Sequence, residues 1–187
     1  MSPTDSVPLS PEEIDDVLYF TRANEPHDLQ QTLSELAAKH NTSIKDVLEG
    51  SIDSQTGNTV FHFCSANGLI DLLPSLLSPS NESRVSAQTI NLGNREGNTA
   101  LHWAAYNGHL QVVKLLIAAG ADMWIKNAAG HLAMFEAERA DKSDVVQYLL
   151  EAGGEKVEEE GSEAQPSAEE VADVQNGESS SSSAPAQ

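Results

Sequence analysis

Glycines at positions 97 and 130 stand 33 residues apart, and each opens the same run of helix-start, helix-stop and second-helix signals. That recurrence constrains the fold more than any other feature, because a fixed period of this length means stacked supersecondary units. The clearest copy is Gly97-Asn-Thr-Ala-Leu-His-Trp-Ala-Ala-Tyr-Asn-Gly-His109, continued by Leu110-Gln-Val-Val-Lys-Leu-Leu-Ile-Ala-Ala-Gly-Ala-Asp122. Thr99 is placed to cap a helix by accepting a hydrogen bond from a backbone N–H. Leu101, Ala104 and Ala105 give that helix a small apolar face, which lets a neighbour approach closely. Gly108 ends it, since glycine reaches the left-handed conformation without a steric cost. Val112, Val113, Leu115, Leu116 and Ile117 supply the apolar side of a second helix, stopped at Gly120. Two short helices cannot bury such faces alone, so copies must stack.

Further copies flank this one. The later runs from Gly130 through Val145-Val-Gln-Tyr-Leu-Leu150 to Gly153-Gly154, with Met134-Phe135 in place of Leu-His and Glu138 in place of the second alanine. The earlier opens at Gly57, 40 residues before Gly97, and the extra residues fall in a Ser-, Pro- and Asn-rich stretch between Leu77 and Ile90. Val60, Ala100 and Ala133 stand where a proline would stiffen the helix start. The G-x-T-x-L-H, A-A-x-x-G-H, V-V-x-L-L and G-A-D positions resemble ankyrin repeats. The fold class expected is therefore an all-α ankyrin-repeat solenoid of helix-turn-helix units with short β-hairpin fingers. Ser10-Pro11-Glu12-Glu13 reads as a capped helix start. It places an N-terminal capping repeat at residues 10–50, after a flexible segment over 1–9. Repeats fill 51–154, with units near 53–90, 94–126 and 127–154, and residues 155–187 form a disordered acidic, serine-rich tail.

Charge narrows the function. The chain carries 29 acidic against 10 basic residues, a formal charge of −19. From Glu151 onward there are ten acids and one lysine, so both the repeats and the tail are acidic. A polyanion such as RNA needs clustered Lys and Arg, so direct nucleic-acid binding is disfavoured and a basic partner is favoured. For the tail alone, solubility and partner binding stand equally open. No apolar run is long enough to span a membrane, and no signal peptide opens the chain. Together with the single cysteine, Cys64, this leads to the expectation of a reducing compartment, cytoplasmic and nuclear. The sequons at Asn41 and Asn81 then read as chance matches.

Chemistry finds no footing. Cys64 falls where the repeat has a small buried residue, which suits a packed thiol. His62 and His102 occupy the repeat's structural histidine position, and His109 the glycine-histidine turn. No Cys/His cluster has metal-ligand spacing. Glu136 and Glu138, two apart on a helix, point to different faces and make no acid/base pair. No enzyme activity, cofactor or metal is expected.

A narrower resemblance rests on Gly97-Asn-Thr-Ala-Leu-His-Trp-Ala, Lys126-Asn127, Gly130-His131 and Phe135-Glu-Ala-Glu138. These resemble the fungal Yar-one family of small ankyrin proteins, over roughly residues 11–155. That resemblance implies a dedicated chaperone of small-subunit ribosomal protein three, captured through its N-terminal region by a monomer. Charge and periodicity alone reach only a binder of a basic protein, and a generic ankyrin adaptor in signalling or transcription remains the alternative. Ankyrin partners contact finger tips and the concave face. Carried over, the tip residues are Asp53, Asn58, Arg95, Glu96, Asn98 and His131. The concave residues are Phe63, Asn67, Trp103, Tyr106, Asn107, Glu136 and Arg139. Trp124 is expected to join Trp103 and Tyr106 in one aromatic cluster, and Glu96, Glu136 and Glu138 to offer carboxylates to client Arg or Lys. The competing reading of Trp103 is that it only packs between inner helices.

Overall fold

Helix starts in this chain are fixed by short polar side chains that turn back on the backbone. In the computed structural model, which describes residues 7–79 and 84–162, α1 (Pro11–Ala23) begins with a capping box. The Glu13 N–H donates to Ser10 Oγ (3.3 Å), and the Ser10 N–H donates to Glu13 Oε2 (2.6 Å). Asn24, in the left-handed conformation, ends the helix, and α2 (Pro26–Lys39) follows with proline in its first turn. Glu13 also receives Lys39 Nζ at 2.7 Å and lies 2.9 Å from His40 Nε2, which ties the end of α2 to the start of α1. Those bonds, Lys39's first, hold the Glu13 carboxyl down at about 2, against 4.5 for an ordinary glutamate. A second capping box, Ser43 with Asp46, starts α3 (Ile44–Gly50).

The repeats use a different cap. In α4 (Val60–Asn67) and α7 (Ala100–Asn107) the third helical residue is histidine. His102 Nδ1 accepts from the Thr99 N–H (3.2 Å) and lies 2.9 Å from Thr99 Oγ1. The far nitrogen, Nε2, is 3.0 Å from the His131 carbonyl of the next unit. A carbonyl only accepts, so Nε2 carries the proton and donates, and the ring is neutral. His62 repeats the pattern on Thr59 and the Asn98 carbonyl (2.8 Å). Both rings are buried, and burial pushes their pKa down, to about 4 for His62. His109 links back, with Nε2 3.1 Å from the Ala66 carbonyl. The histidines therefore join units as well as cap helices.

With the N-terminal cap as unit one, unit two begins with α4 and closes with α5 (Leu73–Leu77), and α6 (Ala87–Ile90) follows the insertion. Unit three pairs α7 with α8 (Leu110–Ala118), and unit four pairs α9 (Ala133–Arg139) with α10 (Ser143–Ser162). Inner helices α1, α4, α7 and α9 pack in sequence, while α2 with α3, α5, α8 and α10 form the outer layer. One continuous core runs between the layers, including Leu18, Leu33, Leu48, Phe61, Leu101, Leu116 and Leu149, all at 1% exposure or less. Each such leucine contributes ~2 kcal/mol by burial. Ala104, Ala105, Ala133 and Ala137 let α7 and α9 pack closely.

Three features differ from the sequence reading. The fingers are tight turns: an isolated antiparallel bridge between Ile52 and Thr59 is the one β-pairing among the described residues. Their polar groups are satisfied by asparagine side chains and by the next finger, which leaves no need for a ladder. Helix α10 runs to Ser162, past the expected tail boundary at 155; the rest of that tail lies outside the described residues, as does Asn81. Leu9 packs on the core, inside the segment expected to be flexible.

Candidate functional site

One repeat position, read across the units, sets the character of the concave face. Phe63, Trp103 and Glu136 are equivalent residues on α4, α7 and α9, and Asn67 and Tyr106 lie a turn further along their helices. Between units three and four the inner helices and fingers enclose a hollow of about 170 Å³. Six of the expected site residues line it: Glu96, Asn98, Trp103, Tyr106, Glu136 and Arg139. Tyr106 is 46% exposed, and Arg139 stacks its guanidinium 5.6 Å from the ring centroid. Trp103 is half-buried, with its Nε1 inaccessible and without a hydrogen-bond partner among the described residues. Trp103 thus both packs between inner helices and lines the hollow.

The floor of the hollow is ionic. Glu136 is buried at 5% exposure, and both its oxygens are occupied. Oε1 receives Asn127 Nδ2 (3.1 Å) and His131 Nδ1 (2.9 Å); Oε2 receives Arg139 Nε (3.1 Å) and Nη2 (2.6 Å). Burial alone would raise this carboxyl's pKa, but bonds from His131, Arg139 and Asn127 outweigh it and hold it below the ordinary value. Contrary to expectation, Glu136 is not a free carboxylate for a client. It fixes Arg139 against Tyr106 and His131 under the preceding unit. Glu96 remains the exposed acid of the hollow, touched by Asn98 Nδ2 at 3.3 Å.

The fingers are held to each other before anything binds them. Asn94 Nδ2 donates to Asn58 Oδ1 (2.9 Å), and Asn127 Nδ2 to Asn98 Oδ1 (2.8 Å). Backbone bonds run alongside, from the Arg95 N–H to the Thr56 carbonyl and from the Ala128 N–H to the Glu96 carbonyl. Arg95 spends its guanidinium on the Ser54 carbonyl (2.6 Å), and Asp53 accepts the N–H groups of Gln55 and Thr56. These tip residues build the scaffold, with little left to offer a ligand. Asn107 donates to the Trp103 carbonyl (2.9 Å) at the end of α7.

Two expected members lie elsewhere. Trp124 is 51% exposed but lines a separate outer hollow with Met134, Leu149 and Leu150. It sits in the loop that leaves the outer helix α8, against Leu149 and Leu150 of the outer helix α10, so it does not join Trp103 and Tyr106. Glu138 projects from the face of α9 opposite the hollow, as a two-residue offset on a helix requires. One concave residue escaped the sequence reading: Arg22, at the end of α1, lies 5.1 Å over the Phe63 ring, and Asn67 Nδ2 reaches its carbonyl at 3.5 Å. Aligning α1 with the later inner helices would have found it, but α1 carries none of the repeat's marker residues.

Among the described residues, no group of three or more His, Cys, Asp or Glu could hold a metal ion. No described helix is long and apolar enough to cross a membrane. The Cys64 thiol is buried, and burial pushes it up to about 12, so it stays protonated and inert.

Known proteins share its frame. The family model described as ankyrin repeats (3 copies) matches residues 33–127 and 61–160. The chain is 35% identical over 149 residues to the ankyrin repeat-containing protein YAR1 of Saccharomyces cerevisiae, which spans 78% of this chain and 72% of that protein. It also superposes with a TM-score of 0.69 and 35% identity on a chain in the crystal structure of the yeast ribosomal protein Rps3 in complex with its chaperone Yar1. That match covers 78% of this chain and 95% of the other. With four inner helices, bridging histidines and interlocked fingers in place, the chain belongs to the ankyrin-repeat family, alongside yeast YAR1.

Proposed function

We propose that this chain is a dedicated chaperone of a basic ribosomal protein, small-subunit protein three, which it captures through the client's N-terminal region and keeps soluble for ribosome assembly. The observation that carries the reading is the 35% identity and 0.69 TM-score to a chain of the Rps3–Yar1 complex, sustained over 95% of that chain. The chain's charge of −19, shared between repeats and tail, supports it, because an acidic surface steers a basic ligand and occupies the residues that would otherwise meet RNA. The protein acts without catalysis or ATP: binding lowers the concentration of free, aggregation-prone client by mass action. It works as a monomer, one copy per client. Release follows when ribosomal RNA, whose phosphates compete for the same Lys and Arg, displaces it. Both cytoplasm and nucleus are its compartments, with nuclear entry carried by the client's own basic sequence.

Co-expression of the full chain with small-subunit protein three tests this. The client should shift from the insoluble to the soluble fraction and co-purify with the chaperone. A client that stays insoluble, with no association at low salt, contradicts the assignment. Capture of signalling proteins from extract instead would place the chain among generic adaptors.

A further inference from the structure

The C-terminal end of the array differs from the junctions inside it. A shift of 33 residues maps unit three onto unit four. In unit three, Ala105 and Val113 are fully buried, and His102 bonds the next unit's carbonyl. Their counterparts are Glu138, which is exposed, Val146, which is half-buried, and Phe135, which is 43% exposed and packed at a tilt of 45° against the His131 ring, 4.3 Å between centroids. Leu150, the counterpart of Ile117, is 57% exposed. These residues form the face that a fifth unit would cover. Glu138 forbids such a unit, since a carboxylate replaces the alanine through which α7 packs closely against α9. A terminal repeat needs a polar outer face, yet this one keeps its apolar residues.

The face is concave and ringed by acids. Glu138, Asp141, Val146, Leu150 and Glu151 line a cavity of about 500 Å³ with Lys142 as the lone base. Glu138 and Asp141 form no ion pair among the described residues. Leu150 is also the lip of the apolar hollow of about 410 Å³ that holds Trp124.

Charge decides what fits. Residues 163–187 contain five acids and no base, so the chain's own tail meets like charge here. A second copy would set Glu138 and Asp141 against themselves across a two-fold axis. We infer that this end face is a second docking surface, occupied by an amphipathic basic segment of the client, with apolar side chains on Val146, Leu150 and Trp124 and Lys or Arg at Glu138, Asp141 and Glu151. The client's identity rests on the function proposed above; the chemistry of the segment rests on this face alone.

The test is an NMR titration of isotope-labelled full chain with purified client and, separately, with a synthetic helical lysine–leucine peptide. Both should shift the amides of residues 135–151. Glu138→Lys with Asp141→Lys should weaken client binding about tenfold while the circular dichroism is unchanged; Glu138→Gln with Asp141→Asn replaces that pair if it fails to fold. Shifts confined to the concave face, peptide shifts spread evenly over all acidic surfaces, or client affinity within twofold of the unaltered chain would overturn the inference. A wild-type chain that ignores the client but takes the peptide on residues 135–151 would sink the client assignment and leave the basic-segment surface standing.

Discussion

Trp103 and Glu136 stand at the same repeat position, 33 residues apart, and do different things. The indole offers apolar area to the hollow while its own N–H is closed off from it, whereas the carboxylate is consumed by three protein donors. Truncating a central aromatic typically costs about 2 kcal/mol or more of binding, and losing an exposed ion pair under about 1 kcal/mol. Trp103→Ala should therefore weaken client binding by about thirtyfold and Glu96→Gln by less than about fivefold, read by titration calorimetry on variants with unchanged circular dichroism. Equal losses would argue against an aromatic centre. Glu136→Ala strands Arg139, His131 and Asn127, so urea unfolding should show a loss of about 2–3 kcal/mol. Exposed Glu138→Ala should stay within about 0.5 kcal/mol. The sequence already placed Trp103 and Tyr106 on the concave face, because repeat register dictates them. The burial of Glu136 was less legible: it needs Asn127 and His131 of the finger to converge with Arg139 of the helix, and spacing alone does not say that they do.

At the scale of the element, finger turns and histidine bridges carry the stacking. Gly97 has φ +72°, and a Cβ there would sit 2.7 Å from the Ala128 nitrogen of the next finger; Gly130 has φ +80° and open space. Gly130→Ala should cost about 1 kcal/mol for the left-handed backbone alone. Gly97→Ala should cost clearly more, because the fingers must part, and equal unfolding midpoints would contradict this interlock. The bridges make stability depend on pH. His62 has a folded pKa of about 4, below its ordinary 6.5, so the unfolded chain takes up a proton that the fold refuses. Its contribution is complete above 6.5 and is lost as pH falls toward 4, and His102 shifts the same way. Glu13, depressed from 4.5 to about 2, adds a second loss between those values. Urea midpoints measured from neutral to acid should fall in both windows; a flat midpoint above pH 4.5 would contradict the neutral-bridge assignment. Helix starts were legible in the sequence at Ser10 and Thr99. That the histidine ring turns back to accept the threonine N–H and share the repeat cap was not, since the bond depends on the next unit fixing the ring's far nitrogen. The second helix of unit two spans only Leu73–Leu77, shorter than its counterpart α8, with Pro74 in its first turn.

On the scale of the whole molecule, a short acidic solenoid presents aromatic and acidic groups on a concave face whose fingers are already locked together. Little ordering cost remains for binding, which favours affinity. Period and composition made the architecture and the sign of the charge legible, because both are properties of the chain summed over many residues. The separation of Trp124 from the concave cluster was not, because loop direction emerges only once the units stack, whereas that of Glu138 follows from its two-residue offset from Glu136. Titration calorimetry of the full chain against purified small-subunit protein three, at low and raised salt, tests the central claim most directly. The account predicts one-to-one binding with a sub-micromolar dissociation constant at low salt that weakens as salt rises, and a further loss for Trp103→Ala at either salt. No binding at low salt, or an affinity indifferent to both salt and Trp103, would contradict it.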